Sequence, residues 1–571
     1  MPHPDDSGGY LPGRGVPRPA PPASGSLASE APRTGPGVPR AAVSAPVYLR
    51  PNAVVEPLVN HWYAWPYLIA PATAPMYVAN LHMRIMESFV ASPQVHMAAV
   101  KNPAMLGGPF MNHDASKVDT IRDLIARTAA EQAPQLEFAD AVVKLSQAVA
   151  SEASGYSLRP LYDAIPEPLR GYVELVYDTN NAASIRFLEG LLYKSRYYNP
   201  KAQSLAVSLV ERDDRPFVFS TPRLPEEEQL HVRVPFREEA VDLLFRMKEQ
   251  ARPLGYAAEL LGLPGSETRR LAGFFTDTAP RPGERYTGDG VRMRYYGHAT
   301  VLLETRETSV LTDPVVSYQQ ADGIPRYTLA DLPDSIDYVL ITHAHQDHCM
   351  LETLLHLRHK VRNILVPRNN GSGLPDPSLR LVLEHLGFRN VQELDELATV
   401  EIPGGAISTV PFLGEHGDLN IRSKTAYLVE LLGKRALFSA DSNALEPRIY
   451  DQVREIFGDL DALFLGMECE GAPMSWMYGP LLTRPLLRKM DQSRRLDASD
   501  AASGMAVVER LKPRHVYIYA MGQEPWLTYV TSIDYDENSK PIVESNRLLE
   551  SCRERGIPAE RLFGRKEVML G

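Results

Sequence analysis

The sequence predicts an α+β protein, with a C-terminal αββα sandwich of two sheets between helix layers preceded by a mixed α/β domain. Three observations predict this. From about residue 286, short apolar strands alternate with helical stretches. Between about 46 and 285, segments of helical period are interspersed with segments of strand period. Finally, His343-Ala344-His345-Gln346-Asp347-His348 follows the apolar run Tyr338-Val339-Leu340-Ile341, which places a cluster of metal-binding side chains at the end of a buried strand.

Taken in order, residues 1–45 are rich in Pro, Gly, Ser and Ala and almost without large apolar side chains. Such a segment cannot bury enough surface to offset its chain entropy, so it reads as a disordered tail. In the domain 46–285, helices are predicted over Tyr77–Val90, Val118–Thr128, Leu136–Val149 and Glu238–Gln250, and strands over Leu205–Val210, Phe217–Ser220 and Leu230–Val234. The aromatic group Trp62, Tyr63, Trp65 and Tyr67 reads as core or dimer contact, with a substrate-facing role as the alternative. Pro280-Arg281-Pro282-Gly283 marks the boundary. Within 286–571, strands are predicted over Val291–Tyr296, Val301–Glu304, Ser309–Leu311, Tyr338–Ile341, Ile364–Val366, Thr425–Leu431, Ala436–Ser439, Leu463–Gly466 and Val516–Tyr519. Helices fall between them at Leu351–Leu357, Ser378–Leu386, Pro447–Ile456 and Ala501–Leu511.

Composition narrows the function classes. A chain of 571 residues holds two or more domains with large cores. Its net charge of −11 argues against a nucleic-acid binder. No apolar run is long enough to span a bilayer, and there is no secretory-signal pattern at the start. Three cysteines, Cys349, Cys469 and Cys552, make no disulfide framework, which fits a reducing cytoplasm. Cys349 adjoins the histidine cluster but reads as a small buried residue. There is no internal repeat and no nucleotide-binding Gly-rich loop.

The chemistry lies in the histidine cluster. His343 and His345 can converge on one ion, and Asp347 and His348 can reach a second a few ångströms away. Together with Gly297-His298-Ala299-Thr300 and Thr312-Asp313-Pro314, the HxHxDH spacing resembles the metallo-β-lactamase superfamily over roughly 286–571. The resemblance implies ligands on loops along one edge of the sandwich. It also implies that Asp441, in Phe438-Ser439-Ala440-Asp441-Ser442, bridges the two ions, where a carboxylate offsets their mutual repulsion. The next ligand comes from Phe412-Leu413-Gly414-Glu415-His416-Gly417-Asp418, and here either Glu415 or His416 fits. His416 would complete three imidazoles, as in zinc hydrolases. Glu415 would make a harder, more anionic set that suits iron.

A narrower resemblance chooses between them. From about Leu49 to the end, the chain is similar to the diiron β-hydroxylases of the chloramphenicol-biosynthesis type. The matching pieces are Arg50-Pro51-Asn52, Trp62-Tyr63-Ala64-Trp65-Pro66, Phe412-Leu413-Gly414-Glu415-His416, Met467-Glu468-Cys469, Ser493-Arg494-Arg495-Leu496 and Tyr519-Ala520-Met521-Gly522-Gln523-Glu524-Pro525-Trp526. In that family a Glu takes the third-His place, which maps onto Glu415. The resemblance implies a non-haem diiron monooxygenase in nonribosomal peptide and antibiotic biosynthesis. It would use O2 to hydroxylate the β-carbon of an amino acid, aromatic by this reading, held as a thioester on a peptide-synthetase carrier domain. Two iron ions are the implied cofactors, with an external reductase as electron source, since no flavin or ferredoxin-type motif is present. On this reading His343, His345 and Glu415 hold iron 1, Asp347, His348 and Glu468 hold iron 2, and Asp441 bridges.

Several neighbours are read alongside. His515 starts a strand and so sits at the wrong end, whereas Glu468, at a strand's far end, is the better last ligand. His298 is expected to support the site from outside the ligand shell. Met474, Trp476 and Tyr478 line either the substrate pocket or the core, and Arg494 and Arg495 make either intramolecular ion pairs or contacts with an acidic carrier. The N-terminal domain has three roles open to it: shaping the entrance, recognising the carrier, or forming a homodimer. The competing reading is a dizinc hydrolase of a lactone or phosphoester with His416 as ligand. A non-catalytic scaffold is disfavoured because superfluous ligands would leave buried charge uncompensated.

Overall fold

The computed structural model describes residues 44–281, 283–320 and 323–570. Most of the tail expected to be disordered, residues 1–43, lies outside the described residues, as does Pro282 of the boundary stretch. The C-terminal half is built on two seven-stranded sheets. The first has the order Val391–Leu394, Val361–Pro367, Ile336–Leu340, Ser309–Thr312, Thr300–Glu304, Val291–Gly297, Lys566–Leu570. The second runs Thr399–Ile402, Gly405–Val410, Ala426–Leu431, Lys434–Phe438, Ala462–Gly466, His515–Tyr519, Ala559–Arg561. Both sheets follow one plan, an antiparallel meander that turns into parallel strands with helical crossovers.

Alternation sets the layers. Met293, Val301, Leu303 and Val310 of the first sheet pack on Ile407, Val429, Phe438 and Phe464 of the second. The outer face of the second sheet, through Leu437, Leu463 and Ile518, packs on the helices Ile449–Phe457, Ala501–Leu511 and Lys540–Glu554. On the first sheet, Leu302, Leu311, Val339 and Ile364 share one core with Leu351, Leu354, Leu379 and the N-terminal part of the chain. Strands buried on both faces read as continuous apolar runs, which is why they were visible in the sequence.

The N-terminal part carries an antiparallel sheet of order Trp62–Tyr63, Ala53–Val59, Gln203–Leu209, Leu230–Arg233. Its helices include Val118–Glu131 and Ala133–Glu152, and one in which Ala74–Tyr77, the π-helical turn Val78–His82 and Met83–Ala91 are continuous. Two expectations are corrected here. Phe217–Ser220 forms no strand: lying between Pro216 and Pro222, its backbone makes a single bond to another segment among the described residues, from Val218 N to Tyr529 O. The helix expected over Glu238–Gln250 is shorter, Glu239–Arg246, and gives way to turns that bring the Lys248 amine onto the carbonyls of Arg50 and Ala53.

Candidate metal centre

The carboxyl ends of the parallel strands of both sheets meet at one edge, as ligand sites do in open α/β sheets. Asp313 follows Ser309–Thr312, His343 follows Ile336–Leu340, Asp441 follows Lys434–Phe438 and Glu468 follows Ala462–Gly466. Two neighbouring strands of the second sheet, Lys434–Phe438 and Ala462–Gly466, can close here because position 466 is glycine. A Cβ on Gly466 would stand 2.2 Å from the Ala440 carbonyl oxygen, so any side chain would push the Asp441 loop off the strand end.

Three overlapping groups have ligand atoms within 4.8 Å of one another: His343, His345 and Glu415; His343, His348 and Asp441; and His298, Asp347 and His348. All are buried. Glu415 Oε1 is 2.9 Å from His345 Nδ1, and Asp441 Oδ2 is 2.9 Å from His348 Nε2 and 3.7 Å from His343 Nε2. Glu415 turns inward because its backbone is left-handed, with φ +69°, a conformation uncommon for a residue with a side chain. His416 faces elsewhere, with Nδ1 2.7 Å from the Tyr478 hydroxyl. It belongs to none of the three groups.

Supporting groups fix the imidazoles. Asp313 accepts from Thr342 N at 2.7 Å and from Thr342 Oγ1 at 2.6 Å, and lies 2.8 Å from His348 Nδ1. Because the Thr342 hydroxyl donates to Asp313, it accepts from His343 Nδ1, 3.0 Å away. One carboxylate thus holds both rings with their Nε2 lone pairs toward the centre. In the same way, His345 with Nδ1 turned inward donates from Nε2 to the Tyr478 oxygen at 2.8 Å, and Tyr478 donates to His416. Gly522 N donates to His298 Nδ1 at 3.1 Å, so the other nitrogen carries the proton; it is buried 3.4 Å from Asp347 Oδ2 and makes no hydrogen bond among the described residues. That agrees with His298 supporting the centre from outside.

The electrostatics suit cations. Burial, reinforced by Asp441, Glu468 and Asp347, pushes Glu415 well above the usual carboxylate range. Burial together with Asp441 and Asp347 does the same to Glu468. Burial takes His345 down to about 4 and lowers His343 well below the ordinary histidine range, whereas His348 is held above that range against burial by Asp441 and Asp313. Among the described residues, His343 Nε2 and Asp441 Oδ1 are buried without a hydrogen-bond partner. Such groups cost free energy unless something else satisfies them. Two divalent cations would do so, offsetting the crowded carboxylates and accepting the imidazole lone pairs.

The other expectations divide. Glu468 is half-buried and stands in the field of Asp441 and Asp347, but joins none of the three groups. His515 is exposed at the start of its strand. Cys349 is buried, and burial raises its thiol. Arg494 and Arg495 make no ion pair among the described residues. Instead Arg494 Nε donates to Gly417 O at 2.7 Å and Arg495 Nε to Gly471 O at 2.8 Å, so Arg494 clamps the loop that carries Glu415. Sequence reasoning gave Asp313 no role, although Thr-Asp-Pro after a strand was the available signal. Replacing Asp313 by Asn swaps an acceptor for a donor facing other donors. It is expected to lower metal affinity by about 10–100-fold, read by chelator competition.

Beside the centre lies a cavity of about 400 Å³, walled by Trp62, Trp65, Phe217, Phe219 and Trp476. Trp62 and Trp65 are part of the core and also face this cavity, whereas Tyr67 is buried with its hydroxyl on Pro375 O. Of the later trio, Trp476 lines the cavity, Tyr478 holds His345, and Met474 is core. Gln346, from within the histidine motif, also lines the cavity, and its Oε1 is buried without a hydrogen-bond partner among the described residues.

Residues 48–280 match the family model described as the diiron non-heme beta-hydroxylase N-terminal domain, and residues 308–517 match a beta-lactamase superfamily domain. Among curated relatives, the 4-amino-L-phenylalanyl-CmlP-peptidyl-carrier-protein 3-hydroxylase of Streptomyces venezuelae is 41% identical over 531 residues, covering 91% of this chain and 99% of that one. The crystal structure of CmlA, a diiron beta-hydroxylase from the same organism, superposes with a TM-score of 0.86 at 40% identity, covering 92% of this chain and 100% of that one. A point mutant of CmlA gives a TM-score of 0.84 at 39% identity, with the same coverage.

Proposed function

Because this chain belongs to the family of diiron non-haem β-hydroxylases, we propose that it hydroxylates the β-carbon of an aromatic amino acid tethered as a thioester to a nonribosomal peptide synthetase carrier domain. One atom of O2 goes to the β-carbon and the other leaves as water. The two electrons and two protons come from outside the chain, the electrons through a separate reductase. The observation that carries this reading is the inward Glu415 carboxylate, 2.9 Å from His345 Nδ1, with His416 engaged by Tyr478 instead. The competing dizinc reading takes His416 as a ligand instead, and His416 joins none of the converging groups.

We assign His343, His345 and Glu415 to one iron, and Asp347, His348 and Glu468 to the other, with Asp441 between them. The closeness of the buried donors supports this for every residue but Glu468, whose support is its position in the field of Asp347 and Asp441. An iron pair held there would supply the O2 activation that an ordinary C–H bond requires. The chain's own residues do the rest. Asp313, through Thr342 and directly, keeps two imidazoles in the tautomer that offers Nε2. The aromatic walls exclude water and take a flat side chain. Gln346 Oε1 accepts from the substrate's α-ammonium group, which holds the adjacent β-carbon toward the centre.

The test is anaerobic reduction of purified protein followed by O2, with a carrier domain loaded in turn with phenylalanine, tyrosine and 4-aminophenylalanine. Two irons per chain and an O2-dependent gain of one oxygen atom at the β-carbon are expected. Protein that holds only zinc and cleaves a lactone or phosphoester without O2 would refute the proposal.

A further inference from the structure

The cavity beside the metal centre reaches the surface where Pro109 and Gln492 are exposed. Gln492 belongs to the short helix Arg488–Ser493. It lies four residues after Arg488 and three after Lys489, spacings that put the three side chains on one face. Arg484, Arg488 and Lys489 are exposed, and none makes an ion pair or side-chain hydrogen bond among the described residues. Between them stand two large apolar side chains in water, Leu487 at 68% and Met490 at 52% exposure. Asp491 also lines the mouth, but both its oxygens are engaged, by Ser475 N at 2.9 Å and Ser475 Oγ at 2.7 Å. In a chain of net charge −11, unpaired cations around exposed apolar side chains at a cavity mouth mark an interaction surface.

We propose that residues 484–490 dock the carrier domain. Arg484, Arg488 and Lys489 meet its acidic face and the phosphate of its phosphopantetheine arm, and Leu487 and Met490 form the apolar contact. The inference rests on the carrier-tethered reading above. The arm brings its thioester end into the aromatic-walled cavity, but its phosphate carries charge that cannot follow without a large desolvation cost. The phosphate therefore stays at the mouth, beside Arg488 and Lys489, which share a helix face with Gln492. Rim charges of this kind act mainly on encounter, so their contribution falls with salt.

The experiment compares unaltered protein with the triple variant R484E, R488E, K489E, and with L487S, M490S, all loaded with iron. Binding and turnover are measured with an aminoacyl-loaded carrier domain and, separately, with the same amino acid as a carrier-free pantetheine thioester. The triple variant is expected to raise KM for the loaded carrier by about tenfold, the combined worth of three exposed charge pairs. It should also abolish the salt dependence of KM and leave turnover of the free thioester unchanged. The apolar double variant should weaken carrier binding without touching salt dependence. Equal carrier affinity in the unaltered and triple-variant proteins overturns the docking surface while sparing the hydroxylase reading. A triple variant that changes only the chain's own oligomeric state overturns it in favour of a subunit contact. No carrier binding by the unaltered protein defeats the hydroxylase reading, and this inference with it.

Discussion

Glu415→Ala is expected to abolish β-hydroxylation and to leave the protein with one iron rather than two. The carboxylate is the anionic member of a set that otherwise offers two neutral imidazoles, and it stands 2.9 Å from one of them. Without it, the first ion loses both a donor and the charge that favours a hard cation over zinc. His416→Ala is the matched control. His416 belongs to none of the converging groups; it bonds Tyr478 and the outer nitrogen of His345, and its ring lies edge-on to His343. Its loss is expected to lower activity by about tenfold, as for a group that orients a ligand, with both irons retained. Glu415→His separates charge from geometry. It restores three imidazoles at a left-handed position that histidine tolerates better than most residues, and is expected to favour zinc and leave no oxygenase activity. Iron analysis with single-turnover assays reads all three variants. Two irons in Glu415→Ala and fewer in His416→Ala would reverse the ligand choice.

What the sequence disclosed about this centre depended on separation along the chain. His343, His345, Asp347 and His348 lie within one strand end, so their convergence follows from local geometry. Asp441 and Glu415 lie beyond the reach of periodicity and became visible only through resemblance to a family. The apolar strands were legible because burial on both faces makes them uniform, whereas Thr399–Ile402 and Lys566–Leu570 went unseen because exposed and covered positions are mixed along them. Phe217–Ser220 misled for a physical reason. Its apolar side chains are spent on walling a cavity rather than on a sheet, and spacing does not distinguish the two uses. The cavity itself brings Trp62 next to Gln346 and Trp476, residues more than 280 positions apart, and nothing local encodes that.

The same long-range meeting makes Glu352→Ala the substitution expected to cost most stability. Glu352 lies four residues after His348, in the helix Leu351–Leu357 that leads away from the centre. Its carboxylate accepts from Tyr63 OH at 2.9 Å, Tyr318 OH at 2.6 Å, and Arg215 Nη1 and Nη2 at 3.1 and 2.9 Å. Arg215 also donates to Glu56, whose carboxyl is held down to about 2 against its burial by Arg223 and Arg215. Truncating Glu352 leaves a buried guanidinium half-paired and orphans two buried hydroxyls. Breaking a buried pair in this way costs about 3–5 kcal/mol. Glu352→Gln keeps an acceptor for the tyrosines and loses the charge, so a smaller loss is expected. Tyr63 lines the cavity, and Arg215 lies two residues before Phe217, which walls it. The Gln variant should therefore raise KM for tethered substrate while keeping both irons. That combination separates a bridge between cavity wall and metal helix from a merely structural ion pair, which would lower thermal stability and leave KM alone. An unchanged melting temperature in Glu352→Ala would remove the bridge from the account of how the N-terminal part holds the cavity against the centre.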